Sequence, residues 1–189
     1  MTVRRPVLIL VAIAAVAMLA AACGGSQDGG AKPPPGVSKK DFAKLLADAS
    51  TSTAADFPAV NGKSLQDMAS TVKAGPQAGF ATSVLTRGTD RLAFGMIDTA
   101  NNFVYGKSAV YIAKSPSDKA LGPYPAPADS LLTKPAFRSQ NAAVDTSPIA
   151  QIYAASVPFP KTGTWNVLAV TKQDAVSYTH LTLPTICSV

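Results

Sequence analysis

The sequence predicts a mainly β fold, an antiparallel β-sandwich preceded by two short helices and an N-terminal leader helix. Three observations support this prediction. Short alternating segments separated by turn residues fill much of residues 78–174, and no long helical pattern lies between them, which is typical of all-β domains. Two capping patterns that begin with serine precede short segments with apolar residues at helical spacing. An unbroken apolar run lies at the N-terminus.

The N-terminal run has the parts of an export signal. Arg4 and Arg5 precede apolar residues 6–22, whose last alanines lead directly to Cys23. A cysteine in this place resembles the bacterial lipobox, in which the thiol is acylated and the leader is removed in front of it. We predict that residues 1–22 are a lipoprotein signal peptide and that Cys23 carries a lipid, so that the mature chain is extracytoplasmic and anchored to the cell membrane. The alternative is a transmembrane anchor, for which the run is barely long enough.

Residues 23–37 are predicted to link the lipid to the folded part. Glycine and proline dominate this segment, and it contains no large apolar side chain before Val37. Pro33, Pro34 and Pro35 stiffen its second half, so we expect a reach on the order of 20 Å from the membrane.

Two short helices are predicted within residues 38–77. A serine with an aspartate three residues later marks the start of each, at Ser38 and at Ser64. Polar residues 50–53 end the first helix, and Gly75 suits the end of the second. Each helix has one apolar face, which predicts packing on the following domain, because short helices seldom persist alone.

In the predicted β domain, residues 78–174, apolar and polar residues alternate as they do in strands, both before and after residues 114–148. Residues 114–148 are rich in proline and weakly periodic, so we predict a long loop there, with one helical turn near residues 128–132. The sandwich is Ig-like in style but lacks the Cys-Trp-Cys signature, and Trp165 is expected in its interior. The predicted strands are residues 80–86, 91–98, 103–105, 109–113, 152–159 and 164–171.

The C-terminal residues 176–189 carry a different signal. One back-translation of residues 176–185, GTC TCT TAT ACA CAT CTG ACG CTG CCG ACG, resembles a transposase-type adapter used to build DNA sequencing libraries. We predict that the natural sequence stops near Asp174, that the tail is translated adapter, and that the sandwich lacks its last strand. The alternative is a genuine final strand, in which case His180 and Cys187 belong to the protein.

Composition excludes several kinds of site. Without the leader and the tail the chain has no histidine, its only cysteine is Cys23, and every acidic residue is aspartate. A histidine-activated nucleophile, a Cys/His zinc site and an intrachain disulfide are therefore excluded. Loss of Arg4 and Arg5 with the leader lowers the net charge from +6 to +4, and the scattered basic residues disfavour nucleic-acid binding. We predict no catalytic residue, no metal and no cofactor.

The proline-rich stretch contains the best candidates for a partner surface. Tyr124, Phe137 and Arg138 are the residues that we expect to contact a protein or a cell-wall component, because long structured loops often carry function. The alternative is that this stretch packs against its own domain. Asp90 and Asp98 are interpreted as turn residues, since their spacing does not fit a calcium-binding loop.

Short segments spread over the globular part carry a resemblance: Phe57-Pro-Ala-Val60, Gly75-Pro-Gln77, Ala81-Thr-Ser-Val84, Arg91-Leu-Ala-Phe-Gly95, Phe103-Val-Tyr-Gly106, Gly122-Pro-Tyr-Pro-Ala-Pro-Ala-Asp129, Phe137-Arg-Ser139 and Trp165 to Thr171. They are similar to a family of actinobacterial envelope proteins. In that family a signal peptide or lipobox leads into an Ig-like β domain, and a thioredoxin-like domain follows it. The resemblance implies that the thioredoxin-like domain, which would carry the redox activity, lies downstream of this sequence. No catalytic cysteine of the family can be placed on this chain.

Two hypotheses of function follow. In the first, a membrane-anchored, non-enzymatic β-sandwich serves as an accessory docking domain for a downstream thioredoxin-like domain that is lost by truncation. In the second, the chain is a self-sufficient lipoprotein that binds a ligand or a cell-wall component through residues 114–148. An enzymatic function is the least favoured hypothesis, because no spacing of Asp, Lys, Tyr or Ser indicates a catalytic site.

Overall fold

The structure, a computed structural model, describes residues 32–137, 149–173 and 176–182. Within them the predicted mainly β class is confirmed, with two helices longer than one turn, α1 (Lys39–Ala49) and α2 (Leu65–Ser70). Two turns of 3-10 helix add to these, at Ala54–Asp56 and Pro135–Phe137. The strands are β1 (Lys73–Ala74), β2 (Gln77–Phe80), β3 (Gly88–Ile97), β4 (Lys107–Ala113), β5 (Leu121–Pro125), β6 (Ala128–Ser130), β7 (Gln151–Phe159), β8 (Asn166–Gln173) and β9 (Val176–Thr182).

The strands form two sheets that share a core. One sheet has the order β1-β9-β8-β4-β5 and the other β2-β3-β7-β6. All of the described pairs are antiparallel except β1 with β9. The longest pairings are those of β3 with β7, of β4 with β8 and of β8 with β9, and they lie in the middle of each sheet.

Side-chain alternation along β4 and β8 divides the interior into two clusters. Val110 and Ile112 of β4 face the other sheet and join Phe94 and Tyr153 in the core between the sheets. Their neighbour Tyr111 points to the opposite face, which the segment around α2 covers. Successive strand residues point to opposite faces, so this sheet is buried on both sides, and its central strands are apolar almost throughout.

Both predicted helices form and pack on the β domain as expected. Ser38 caps α1 by accepting a hydrogen bond from the backbone of Asp41 at 3.1 Å, and Ser64 and Asp67 form a reciprocal capping box at α2. Phe42 of α1 enters the core between the sheets. The second helix ends at Ser70, before the predicted Gly75, because the chain leaves the helix to form β1.

The first predicted strand is displaced along the chain. Residues 80–86 were expected to be extended, whereas β2 covers Gln77–Phe80 and residues 81–87 form no strand. The hydroxyl of Thr82 accepts a hydrogen bond from the backbone of Ala93 and donates one to the carbonyl of Arg91. The Thr82 hydroxyl thus bonds to backbone groups of β3 that would otherwise pair with the backbone of β2, and the pairing of β2 with β3 ends there. Threonine side chains commonly compete with backbone hydrogen bonds in this way. Residues 103–105 also contribute only one isolated bridge, between Ile97 and Phe103.

The prediction of a long loop over residues 114–148 is wrong for its first half. Two edge strands, β5 and β6, lie within it, and Ala128, expected in a helical turn, begins a strand. Proline is tolerated on edge strands, where its missing N–H group leaves no gap in the sheet. The proline content that suggested a loop therefore reflects the position of these strands at the sheet edges. Residues 138–148 lie outside the described residues.

The tail segment pairs with the sheet. Residues Val176–Thr182 form β9, which runs antiparallel to β8 from the pair Gln173 and Val176 to the pair Val167 and Thr182. On its other side β9 pairs in parallel with β1. A segment with alternating β-forming residues can pair with an open sheet edge whatever its origin, so the adapter origin of the tail stays a prediction. Trp165, as expected, is buried, and its ring meets that of Phe159 edge to face.

An ion pair attaches the segment between the helices to the sheet, and we expect it to stabilise the fold measurably. Lys107 of β4 donates to Asp56 at 2.5 Å, and both side chains are partly buried. This bond is the largest of the causes that lower the pKa of Asp56 to about 2, and hydrogen bonds from the hydroxyl and backbone of Thr53 add to it. Asp56→Asn should lower the free energy of unfolding by about 1–2 kcal/mol near pH 7, as measured by urea unfolding.

The pH dependence of this effect has a defined sign. Because the folded-state pKa of Asp56 is depressed from 3.8, its contribution is present above about pH 4 and is lost as the pH falls towards 2. The difference between Asp56→Asn and the parent should shrink by about half near pH 3. Asp118→Asn, at an exposed position, is the matched control and should behave as the parent. An unchanged difference at low pH would contradict the role given to this pair.

Candidate functional site

The structure places the predicted site residues in different surroundings. Tyr124 lies on β5 with its side chain packed against the core, and burial raises its pKa. Phe137 ends a 3-10 turn with 77% of its surface exposed. Cys23 and Arg138 lie outside the described residues. The two described members of the predicted partner surface thus differ: Tyr124 is half-buried against the core, and Phe137 is a solvent-facing aromatic ring.

A concave surface of the described residues lies elsewhere, at one end of the sheets. We call this end the linker end; it comprises residues 32–37, the start of α1 and the loop of residues 98–106. A cavity of about 470 Å³ opens there, within the usual size range of ligand sites. Its walls are mostly apolar, with Lys32 and two amides at the rim. The lining residues include prolines 33–35, Phe42, Asn101, Asn102, Phe103 and Tyr105.

One wall of this cavity is formed by residues that the sequence assigned to the linker. Val37 packs on the core cluster, and its backbone N–H donates to the carbonyl of Pro34 at 3.1 Å, closing a turn. Val37 precedes the N-cap Ser38, and Phe42 is the fourth residue of α1, so the two occupy the positions of a hydrophobic staple. That spacing is visible in the sequence and could have predicted that the last residues of the linker pack against the domain before α1 begins.

A tight turn shapes the opposite wall. The carboxylate of Asp98 accepts hydrogen bonds from the backbones of Ala100 and Asn102, each at 2.8 Å, and from the Asn102 amide. The bond from the Asn102 backbone is the main reason why the pKa of Asp98 lies below its usual value. Asn101 adopts a positive φ of 62°, which asparagine tolerates better than most residues. The turn chemistry expected for Asp98 is confirmed.

Two tyrosines fix the base of the same loop. The hydroxyl of Tyr153 accepts from the backbone N–H of Gly106 at 2.9 Å and donates to the Gly106 carbonyl at 3.0 Å. The hydroxyl of Tyr105 accepts from the backbone of Ala150 at 2.8 Å. Burial raises the pKa of both phenols, so they stay neutral and act as hydrogen-bonding links between strands. The loop is therefore held in place before any ligand binds.

Two further cavities lie between this cavity and the end of β8, and we call the three together the groove. One of about 200 Å³ lies beside Val37, Val104 and Gln173, and one of about 480 Å³ lies between residues 74–76, Asp98 and Gln173. Gln173 is therefore common to both, and its amide donates to the carbonyl of Tyr105 at 3.0 Å. The groove follows the whole linker end of the domain.

The chemistry of this end suits binding. Within the described ranges no group of three or more His, Cys, Asp or Glu side chains lies close enough to hold a metal ion. The carboxylates near the groove are engaged locally: Asp98 is held in its own turn and Asp41 accepts from Ser38. What the groove offers is apolar and aromatic surface with amides and one lysine at its rim, which can hold an apolar group next to an anionic or hydrogen-bonding one.

Comparison with known proteins adds no assignment, because no protein-family model, no curated protein and no solved structure matches the chain. Among the helices of the described residues, none is both long and apolar enough to cross a membrane.

Proposed function

We propose that the chain is the lipid-anchored, extracytoplasmic part of an envelope protein whose Ig-like β domain docks a thioredoxin-like domain following it in the intact gene product. Acylation at Cys23 tethers it, and the β domain is an accessory element without chemistry of its own. The proposal is supported by the lipobox resemblance at Cys23, by the segments that resemble the actinobacterial envelope family, and by the mainly β fold.

One structural observation contributes most to the docking role. The described chain leaves β8 at Gln173, which lines two of the three linker-end cavities. A domain that continued from Asp174 would emerge directly over this groove. A preformed concave surface at the exit point reduces the ordering cost of docking, because the loop of residues 98–106 is already fixed by the bonds of Asp98 and Tyr153.

A long sequencing read across the source locus, past the codon for Asp174, tests the docking proposal. We expect the frame to continue into an α/β domain that contains cysteines. If the natural gene encodes residues 176–189 and then stops, there is no downstream domain to dock. His180 and Cys187 would then be natural residues, and the second candidate function would replace the first.

The second candidate is a self-sufficient ligand-binding lipoprotein, and the 470 Å³ cavity favours it. The cavity lies at the linker end, whereas the sequence placed a ligand on residues 114–148. A suitable probe is 8-anilinonaphthalene-1-sulfonate, because its aromatic body and single negative charge match the apolar walls and Lys32.

We expect a single saturable fluorescence change with this probe if the cavity binds ligands. Phe103→Ala removes one wall and should weaken binding about tenfold, the loss expected for about 1.4 kcal/mol. Phe137→Ala is the matched control, since it deletes an equally large ring that is 77% exposed. Equal weakening by both substitutions, or by Phe137→Ala alone, would assign the binding to the proline-rich stretch instead.

A further inference from the structure

Strand β9 lies in a slot between two other strands. Each of its seven residues pairs with a residue of β8. On its other side β9 pairs in parallel with Lys73 and Ala74 of β1. Such pairing uses main-chain N–H and C=O groups, which every residue type except proline supplies in full. The backbone between β8 and β1, which we call the strand slot, therefore binds a segment because it is extended.

The strand slot is a stronger site for strand pairing than the described sheet edges. The first six residues of β8 are buried, so its backbone lies in an apolar setting. Of the edge strands that the structure describes, β1, β2 and β6 have two to four residues. The fourth, β5, contains Pro123 and Pro125. Short and proline-containing edges resist the addition of a strand, whereas a long apolar strand without its partner favours it.

The connection between β8 and β9 is unusually short for its sequence. Gln173 and Val176 are partners, so only Asp174 and Ala175 join the two strands. The favoured two-residue hairpin loops have a positive φ at the first position or at both, and glycine or asparagine usually occupies them. Alanine resists a positive φ. Short connections under strain favour the exchange of an element between copies, because the connection then extends.

We infer that the strand slot binds residues 176–182 of a second copy of this chain, so that two copies exchange β9 and form a dimer. An exchanged strand makes the same pairs with β8 and β1 as it makes within one copy. The dimer therefore needs no new contact, and only the connection changes its path. This inference goes beyond the proposed function and holds for this sequence whatever the origin of its tail.

Disulfide trapping between two copies tests the exchange directly. The chain from residue 23 onward carries Cys23→Ser and Cys187→Ser and so has no thiol of its own. One copy adds Lys172→Cys and the other adds Ser177→Cys, since these residues are partners in β8 and β9 and opposed strand residues lie within the span of a disulfide. The two copies are unfolded in urea and refolded together. We expect a covalent heterodimer, whereas Lys161→Cys, at an exposed position outside both strands, should give only background with the Ser177→Cys copy.

A change in the connection tests its contribution. Light scattering over a concentration series should show dissociation of the dimer at about 1 µM and a largely dimeric chain at about 1 mM, the order of the effective concentration that a short connection provides. Ala175→Gly supplies the Asp-Gly pair that tight hairpins prefer and should weaken dimerisation about fivefold for each of the two connections. Ala81→Gly, at an exposed position outside β8 and β9, is the matched control and should leave dimerisation unchanged.

The location of the cross-link decides the outcome. Cross-linking of the Lys172→Cys and Ser177→Cys copies at no more than the level of the Lys161→Cys control would overturn the inference. A dimer that Ala175→Gly does not weaken would likewise assign the contact to another surface. Neither experiment uses a lipid or a downstream domain, so a failure here is separate from a failure of the proposed function.

Discussion

Cys23→Ser is expected to abolish fatty-acid incorporation into the protein. The predicted modification forms a bond to the thiol sulfur, and serine presents only a hydroxyl in its place, so the acyl group has no acceptor. In cells fed with labelled palmitate, the label on the immunoprecipitated protein should fall to background. The label is the deciding readout, because the apolar residues 6–22 retain membrane affinity of their own if the leader stays attached.

The second cysteine supplies the matched control. Cys187→Ser makes the same chemical change in the tail and should leave labelling at the parent level. Undiminished label in the Cys23→Ser protein, or its loss in the Cys187→Ser protein, would remove the basis for a lipid anchor at Cys23.

Gly106→Ala is expected to destabilise the fold strongly. A Cβ atom at this position would lie 2.5 Å from the backbone carbonyl oxygen of Lys172 in the neighbouring strand β8. Backbone cannot rotate away as a side chain can, so β4 and β8 must separate locally. That shift also disturbs both hydrogen bonds between Gly106 and the hydroxyl of Tyr153. Together these effects should cost about 3–5 kcal/mol, a large share of the stability of a domain this size.

Gly79→Ala is the control for this substitution. Gly79 lies on the edge strand β2, where a Cβ would meet only the end of the Ile97 side chain at an ordinary 3.4 Å. We expect a change within about 0.5 kcal/mol. Chemical unfolding of both variants measures the contrast, and similar free energies of unfolding for the two would show that the β4–β8 contact is looser than the structure indicates.

The parts of the fold that were predicted from sequence depend on local signals. Ser38 and Ser64 mark their helices because a cap and its partner lie three residues apart. Strands β3, β4, β7 and β8 were recognised because the central strands of a buried sheet are long and apolar. Burial of Trp165 also follows from its type and setting.

The parts that were missed depend on contacts between distant residues. Thr82 ends β2 through bonds to β3 that no local pattern encodes. The two hydrogen bonds between Tyr153 and Gly106, one donated by each residue, join residues 47 positions apart. The edge strands β5 and β6 contain or adjoin proline and were mistaken for loop. The cavity was missed because the prolines 33–35 were assigned to a spacer, although Val37 and Phe42 have the staple spacing.

Intact-protein mass spectrometry of the membrane-extracted protein tests the central claim, anchoring at Cys23, most directly. We expect a mature chain that begins at Cys23 and carries the added mass of acyl chains on that residue. A chain that still begins at the N-terminus of the leader, or one that begins at Cys23 without added mass, would contradict it.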